Sequence, residues 1–165
     1  MASAANSAYL PPLDVPHEHE AVGHELQIVL HELINLSLIG KQLHWAVVGP
    51  LARPVHLYLD ELVDSWRELA DTVAERAVAL GFVPDGQVQA VATGSKLSAV
   101  KQGAIEDDTA VWEMTRRVAD VAERVRARLR SVGEADLISQ DVLIDVVRTL
   151  EKQQWLLRVQ IGERT

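Results

Sequence analysis

Apolar residues recur every three or four positions through most of the chain, and this pattern predicts four long α-helices. Gly81 is typical of a residue that follows the end of a helix, and Asp136 is typical of one that caps the start. Between these signals the expected helices cover, approximately, residues 19–45, 55–80, 106–131 and 137–161.

A long connection separates the second predicted helix from the third. It covers about residues 82–105 and is expected to hold a short helix near Lys96–Lys101. Connections in a simple up-and-down bundle are shorter, so this one is expected to cross the length of the bundle. The pattern therefore predicts an all-α fold, a ferritin-like four-helix bundle with a long crossover containing a short helix between helices 2 and 3. Residues 18–163 would form this domain, and residues 1–17 a flexible N-terminal arm.

The composition favours a helical protein whose partners are cations. Apolar residues make up 48% of the chain and aromatic residues only 4%. A formal charge of -8 disfavours nucleic acid and favours metal ions. The absence of cysteine excludes disulfides and thiolate chemistry. Because the chain has neither a signal-peptide pattern nor an apolar run of about 18 residues, we expect a cytoplasmic protein.

The second predicted helix has two distinct faces. One face is an apolar stripe that we expect to pack into the core of the chain. The other carries His56, Asp60, Asp71 and Glu75, and its centre lies roughly 150° from the stripe. The four polar residues therefore point away from the bundle interior. The stripe consists of Leu59, Leu62, Trp66, Leu69, Val73 and Leu80.

These four residues cannot bind one ion within one chain, because His56 and Glu75 are about 28 Å apart along the helix axis. The residue numbers 56 and 75 have the same sum as 60 and 71, so the two pairs are placed symmetrically about the same midpoint of the helix. A two-fold axis near residues 65–66 would therefore place His56 and Asp60 of one chain beside Glu75 and Asp71 of a second copy. The pattern predicts a metal site between two chains, formed twice in each dimer.

His44 completes the predicted ligand set. It ends the first helix, and a tight loop returns the chain to His56, so both imidazoles can reach one pocket. Two nitrogens with several carboxylate oxygens suit Fe(II) better than calcium or a closed zinc site. Taken alone, Asp71 and Glu75 would be interpreted as an exposed i, i+4 pair, and His44 with Trp45 as packing. The combination of face, spacing and His44 favours metal binding.

Four segments of the chain resemble the Dps family of miniferritins, the DNA-binding proteins from starved cells. "KQLHW" is followed, twelve residues after its histidine, by "HLYLDE", and then by "DTVAERAVALG". The fourth predicted helix, "SQDVLIDVVRTLEKQQWLLR", is similar to the closing segment of that family. The resemblance covers about residues 20–162.

The resemblance implies a homododecameric shell, built from two-fold dimers, that stores ferric mineral. Ferrous iron would be oxidised by hydrogen peroxide or dioxygen, with two irons at each inter-subunit site and zinc as a competitor. His44, His56 and Asp60 would come from one chain and Asp71 and Glu75 from the other. Trp45 would donate an electron to stray oxidant, although packing is an equal explanation for it. Such a ferroxidase would protect the cell against oxidative damage.

The alternative function is that of a DNA-binding, nucleoid-compacting protein. Family members that bind DNA commonly use a tail rich in Lys and Arg, but residues 1–40 contain neither. The arginines of "RRVADVAERVRARLR" are interleaved with acids and are predicted to form a solvated face. We therefore expect weak or no DNA binding at physiological salt.

The remaining polar residues give weaker signals. His17, His19 and His24 would bind a second metal or, as we prefer, lie exposed without one. His24 and His31 lie on a stripe about 140° from His44, so neither belongs to the iron site. Asp141 would line an ion pore or be an ordinary exposed acid of an early helical turn. A 24-subunit ferritin is disfavoured because no Glu in the chain has a His three residues later.

Overall fold

The computed structural model describes the backbone of residues 17–161 and the side chains of residues 19–160. The predicted arm therefore lies outside the described residues except for His17, which is helical rather than part of an arm. Of the predicted second metal site, the side chain of His17 also lies outside the described residues. In chain order the elements are α1 (His17–Ala46), β1 (Val47–Val48), α2 (Ala52–Ala79), α3 (Val88–Gly94), β2 (Ile105–Glu106), α4 (Asp107–Arg126), α5 (Leu129–Ala135) and α6 (Leu137–Ile161).

Four long helices form the bundle, with α1 packed mainly against α2 and α4 mainly against α6. The predicted apolar stripe of α2 is buried in full, and its central residue Trp66 is 0% exposed. The indole N–H of Trp66 donates to Gln153 of α6 at 2.8 Å, so this buried polar atom has a partner. Within residues 17–161, no helix is both long enough and apolar enough to span a bilayer.

The crossover between α2 and α4 runs the length of the bundle, as predicted. It begins after α2, where Gly81 has a φ of 83° and Phe82 N–H donates to Ala77 at 3.0 Å, as in a Schellman cap. It ends at the opposite end of the bundle, because β2 pairs in parallel with β1 in the loop between α1 and α2. The long connection thus returns the chain to the end at which α1 finishes.

The short helix of the crossover is α3, Val88–Gly94, so its predicted position at Lys96–Lys101 is wrong. The backbone after α3 bonds to side chains of other helices instead of to itself. Glu32 of α1 accepts from the Lys96 N–H at 3.2 Å, and Arg117 of α4 donates to the Ser98 carbonyl at 3.2 Å. These bonds attach the non-helical segment after α3 to α1 and α4.

The third long helix is also shorter than predicted. α4 ends at Arg126, and the segment expected to finish it and to separate it from α6 forms the additional helix α5. Gln140 of α6 donates to the Leu129 carbonyl at 2.9 Å, and Arg128 forms an ion pair with Glu25 of α1 at 3.0 Å. These bonds to α6 and α1 hold the chain in a direction that a continuous α4 would not follow.

The prediction of a solvated face is wrong for Arg117, which is buried, and holds only in part for Arg124, which is partly exposed but pairs with a buried carboxylate. Arg117 is 2% exposed and bonds to Glu113 and to backbone carbonyls of the crossover. Arg124 binds both carboxylate oxygens of Glu32, which is itself 2% exposed. A buried carboxylate requires such a partner, and periodicity alone does not reveal it. Other arginines of the segment, such as Arg130, are exposed as predicted.

Asp136 caps α6 as predicted, since its carboxylate accepts from the backbone N–H of Ser139 at 3.0 Å. Arg76 of α2 binds the same carboxylate at 2.6 Å. Burial alone would raise the pKa of Asp136, but the bonds from Ser139 and Arg76 outweigh it and lower the pKa to about 2. The cap therefore ties the start of α6 to the end of α2.

We expect Asp136→Asn to destabilise the protein at pH 7 by about 2 kcal/mol, the equivalent of the lowered pKa. The pKa is lower in the folded state than the ordinary value of 3.8, so this stability is complete above that value. It is lost as the pH falls through about 2. Urea denaturation of the variant and the wild type at pH 7 and pH 3 should give a smaller difference at pH 3. Asp145→Asn, in an exposed ion pair, is the control and should change little. A difference that does not depend on pH would contradict the assignment.

Candidate metal site

The two histidines of the predicted site lie face to face across the junction of α1 and α2. His44 is in the last turn of α1 and His56 is near the start of α2. Their rings are stacked, with centroids 3.6 Å apart and planes inclined by 21°. The sequence prediction that a tight loop brings both imidazoles to one place is met within a single chain.

Each histidine bonds to the backbone of the other. His44 Nδ1 lies 2.9 Å from the carbonyl oxygen of His56, and His56 Nδ1 lies 2.9 Å from the carbonyl oxygen of His44. A carbonyl oxygen can only accept, so both Nδ1 atoms donate. In the neutral rings Nε2 then carries the free lone pair that a metal ion requires. The backbone bonds thus select the tautomer suited to ligation.

Asp60 lies one helical turn after His56 and completes a group of three. One ligand atom from each of His44, His56 and Asp60 lies within 4.8 Å of the others. Metal–ligand distances near 2 Å place neighbouring ligands within about 4 Å of each other, so a small closure would suit one ion. His44 is buried, whereas His56 and Asp60 are partly exposed. Among the described side chains, no other group of three or more His, Asp or Glu residues has the spacing of metal ligands.

Lys41 is a member of the site that the sequence analysis missed. Its ammonium donates to Asp60 Oδ1, and this hydrogen bond is the main reason why the pKa of Asp60 lies below its usual range. Burial of Asp60 opposes the shift, and the nearby His44 and His56 add to it. Asp60 Oδ1 also lies 3.4 Å from His44 Nδ1. The signal was present in the sequence, because Lys41 precedes His44 by three residues and therefore shares its side of α1.

Asp71 and Glu75 do not join this group within one chain. They are exposed and follow Asp60 by 11 and 15 residues, about 16 Å and 22 Å along α2. They point away from the buried stripe of α2, on the side that carries His56 and Asp60. One chain therefore presents a group of three donors and a separate pair of carboxylates on the same face.

Comparison with known proteins gives consistent matches over nearly the whole chain. A family model described as a ferritin-like domain matches residues 24–164. DNA protection during starvation protein 2 of Deinococcus radiodurans is 32% identical over 81% of this chain, and the match spans 55% of that longer relative. The fine tangled pili major subunit of Haemophilus ducreyi is 33% identical over 92% of this chain and 80% of the relative. Among solved structures, DpsA14 from Streptomyces coelicolor superposes with a TM-score of 0.85 and 33% identity, covering 89% of this chain and 88% of the other.

The chain belongs to the Dps family. Membership confirms the predicted resemblance and the predicted all-α, ferritin-like four-helix bundle. The relatives carry different names, among them that of a pilus subunit.

Other histidines of this Dps-family chain lie apart from the candidate site. His24 is exposed, with its ring edge-on to Phe82 at 5.0 Å, and His19 is partly exposed. His31 is buried and bonds to the backbone carbonyl of Asp85 at 2.8 Å. His24 and His31 thus fall outside the group of three donors, as predicted.

Trp45 and Asp141 are both exposed in one chain. Trp45 follows His44 directly and is 71% exposed, and the Lys41 ammonium lies 5.9 Å from its ring centroid. Packing within its own chain therefore does not explain Trp45. Asp141 lies exposed in an early turn of α6, where either of its predicted roles stays a prediction.

We expect Lys41→Met to raise the pKa of Asp60 and to tighten binding of a divalent cation several-fold. The metal would no longer have to displace an ammonium from the same carboxylate oxygen. Carbon NMR titration of the Asp60 carboxyl and calorimetric titration with Co²⁺ measure the two effects. The control is Lys152→Met, which removes an exposed lysine of α6. Weaker cobalt binding by the Lys41 variant would show that the ammonium assists the site instead of competing for it.

Proposed function

We propose that this protein is an iron-storage and detoxification miniferritin whose ferroxidase sites are shared between two chains. The main support is the arrangement of His44 and His56, whose Nε2 atoms take no part in the backbone bonds and which form one group with Asp60. The site faces away from the bundle core and is incomplete in one chain. Asp71 and Glu75 would supply the missing ligands from a second copy.

An antiparallel second copy of α2 suits the distribution of exposed side chains. Residues 56 and 60 pair with 75 and 71 about an axis near residues 65–66, so each copy completes the site of the other. The same face carries two exposed apolar residues, Leu57 and Val78, which a second copy would cover. On α1, the exposed Leu38 and Trp45 border this face on either side of Lys41 and would extend the contact.

The proposed ligand set suits ferrous iron as a substrate that is oxidised, rather than as a permanently bound cofactor. Imidazole nitrogens bind Fe(II), and several carboxylates stabilise the higher charge of Fe(III). Two ferrous ions at one site would each give one electron to a peroxide molecule, whose O–O bond breaks to yield two waters when two protons are taken up. No hydroxyl radical is released when both electrons arrive together. The proposal includes storage of the ferric product inside a homododecameric shell, and membership of the family supports this part.

The ligand set can be tested by mixing two inactive variants. His56→Ala and Glu75→Ala should each lose rapid oxidation of Fe(II) by peroxide when they are alone. In a mixed dimer one site carries both changes and the other carries neither. Co-expression with random pairing should therefore restore about a quarter of the wild-type sites, because half of the dimers are mixed. Stopped-flow absorbance of ferric species measures the recovery.

The matched control pairs His56→Ala with Asp60→Ala, which belong to the same half of the site. Every site in those mixtures lacks at least one donor from that half, so no activity should return. Size-exclusion chromatography should give the same assembly for all three variants. Failure of the His56 and Glu75 variants to complement each other in an intact assembly would refute the shared site.

DNA compaction is the alternative function, and the name DNA protection during starvation protein belongs to several relatives. Twelve copies at -8 each would carry about -96 at neutral pH, which repels a polyanion. Arg117 is buried and Arg124 partly buried, and each is paired with a carboxylate, so they add little to a DNA-binding surface. We therefore propose that any protection of DNA acts by removing iron and peroxide.

We expect no shift of linear duplex DNA in a gel at about 150 mM salt, because phosphate binding depends on cationic side chains. The same protein should still protect DNA from nicking by Fe(II) and peroxide. Appending a Lys-rich segment to the N-terminus provides a positive control and should produce a shift. A tight complex formed by the unmodified protein would favour the alternative function.

A further inference from the structure

We propose that Asp107, at the far end of the crossover, is a positioning residue for the metal site. Its carboxylate holds the loop between α1 and α2 and thereby sets the separation of His44 and His56. This inference rests on the proposed function of that site. Within the described part of the chain its carboxylate accepts hydrogen bonds from Leu51 and Asp108, neither of them a proposed ligand, so it would act only through the backbone.

The first support is the hydrogen bond from α4 to the start of α2. The N–H of Leu51, the residue immediately before α2, donates to Asp107 Oδ2 at 2.6 Å. Leucine has no polar side chain with which to cap its own helix, and α2 has no side-chain cap of its own. A carboxylate from another helix takes this role. The start of α2 is therefore held from outside the hairpin that it forms with α1.

The second support is the shape of the loop around the carboxylate. Gly49 has a φ of 120°, a region that disfavours residues with a Cβ. A Cβ at Gly49 would also lie 2.5 Å from Asp107 Oδ2, so the loop closes directly over the carboxylate. The parallel pairing of Val47 with Ile105 holds the same loop two residues earlier. The loop is thus attached to the segment 105–107 along most of its length.

The third support is the way in which the charge of Asp107 is stabilised. Asp107 is 9% exposed, and its other oxygen accepts from the Asp108 N–H at 2.8 Å. The carboxylate thus lies at the N-termini of both α2 and α4, where helix dipoles favour an anion. Among the described residues no Lys or Arg is paired with it. Two helix N-termini and one carboxylate therefore form a junction beside the loop.

The junction bears on the metal site because the loop is short. His44 lies three residues before β1, and His56 lies five residues after Leu51. The two imidazoles bond to each other's backbone carbonyls, so their Nε2 atoms move apart if the end of α1 and the start of α2 separate. Releasing the loop should therefore loosen the metal site while leaving every ligand in the chain.

The test uses Co²⁺ as a probe, since its visible absorption reports ligand number and geometry. In the intact assembly, Asp107→Ala should weaken cobalt binding roughly 10-fold and change the spectrum, the size typical of outer-sphere substitutions. Asp107→Asn keeps an oxygen that can accept from Leu51, so it should restore most of the wild-type spectrum. Asp108→Ala, at the neighbouring exposed position, is the control and should leave both affinity and spectrum unchanged.

The outcomes separate this inference from the proposed function. If wild-type protein binds no cobalt in a manner that depends on His56, the proposed function fails. If wild-type protein binds cobalt and both Asp107 variants match it in affinity and spectrum, the positioning role is wrong. Should Asp107→Ala not assemble, Asp107→Ser decides, because its shorter side chain does not reach the Leu51 N–H: a wild-type melting temperature with an altered cobalt spectrum supports the role, and an unaltered spectrum overturns it.

Discussion

The two hydrogen bonds that His44 and His56 exchange with each other's backbone carbonyls join the end of α1 to the beginning of α2. They satisfy carbonyls near helix ends, they stack the rings, and they leave both Nε2 atoms free. The same pair of bonds therefore packs the two helices together and orients the imidazoles for the proposed metal binding. Asp60 and Lys41 then occupy the adjoining turns of α2 and α1, and their places depend on this junction.

The crossover connects that junction to the interior of the bundle. The buried Glu32 forms an ion pair with the partly exposed Arg124 and also binds the backbone after α3. Arg117 binds the next part of the crossover through carbonyl groups. Buried charges of this kind are tolerated only when every partner is in place, so they hold the crossover to one path. That path ends at Asp107, beside the loop that carries the two histidines.

The acidic character of the chain is consistent with a proposed metal site on the outer face of α2. Ligands on the core side of α2 would have been surrounded by Leu and Val, where an ion without a full ligand set is costly. On the outer side, Asp60, Asp71 and Glu75 would instead attract cations toward a face that a second copy can close. The same negative charge is expected to oppose association with DNA. The proposed cation uptake and the expected weakness of polyanion binding thus share one electrostatic origin.

The sequence by itself determined that there are four long helices, and it determined the two faces of α2. Periodicity identified the stripe that contains Trp66, and it placed His56, Asp60, Asp71 and Glu75 opposite that stripe, because both depend only on local helix geometry. The spacing of His44 and His56 across a tight loop was equally local. The capping role of Asp136 was also evident, since a cap bonds to its own next turn.

Tertiary structure alone decided the features that depend on bonds between distant residues. α3 lies earlier than expected, and Glu32 and Arg117 hold the segment after it in a non-helical path along α1 and α4. Arg117 is buried beside carbonyls of the crossover, and Arg124 pairs with Glu32 of α1, and no helical period encodes either contact. The bonds of Lys41 to Asp60 and of Leu51 to Asp107 were visible only in the folded chain for the same reason. Each acts through a contact between two helices, whereas a sequence pattern describes the neighbours of a residue within one helix.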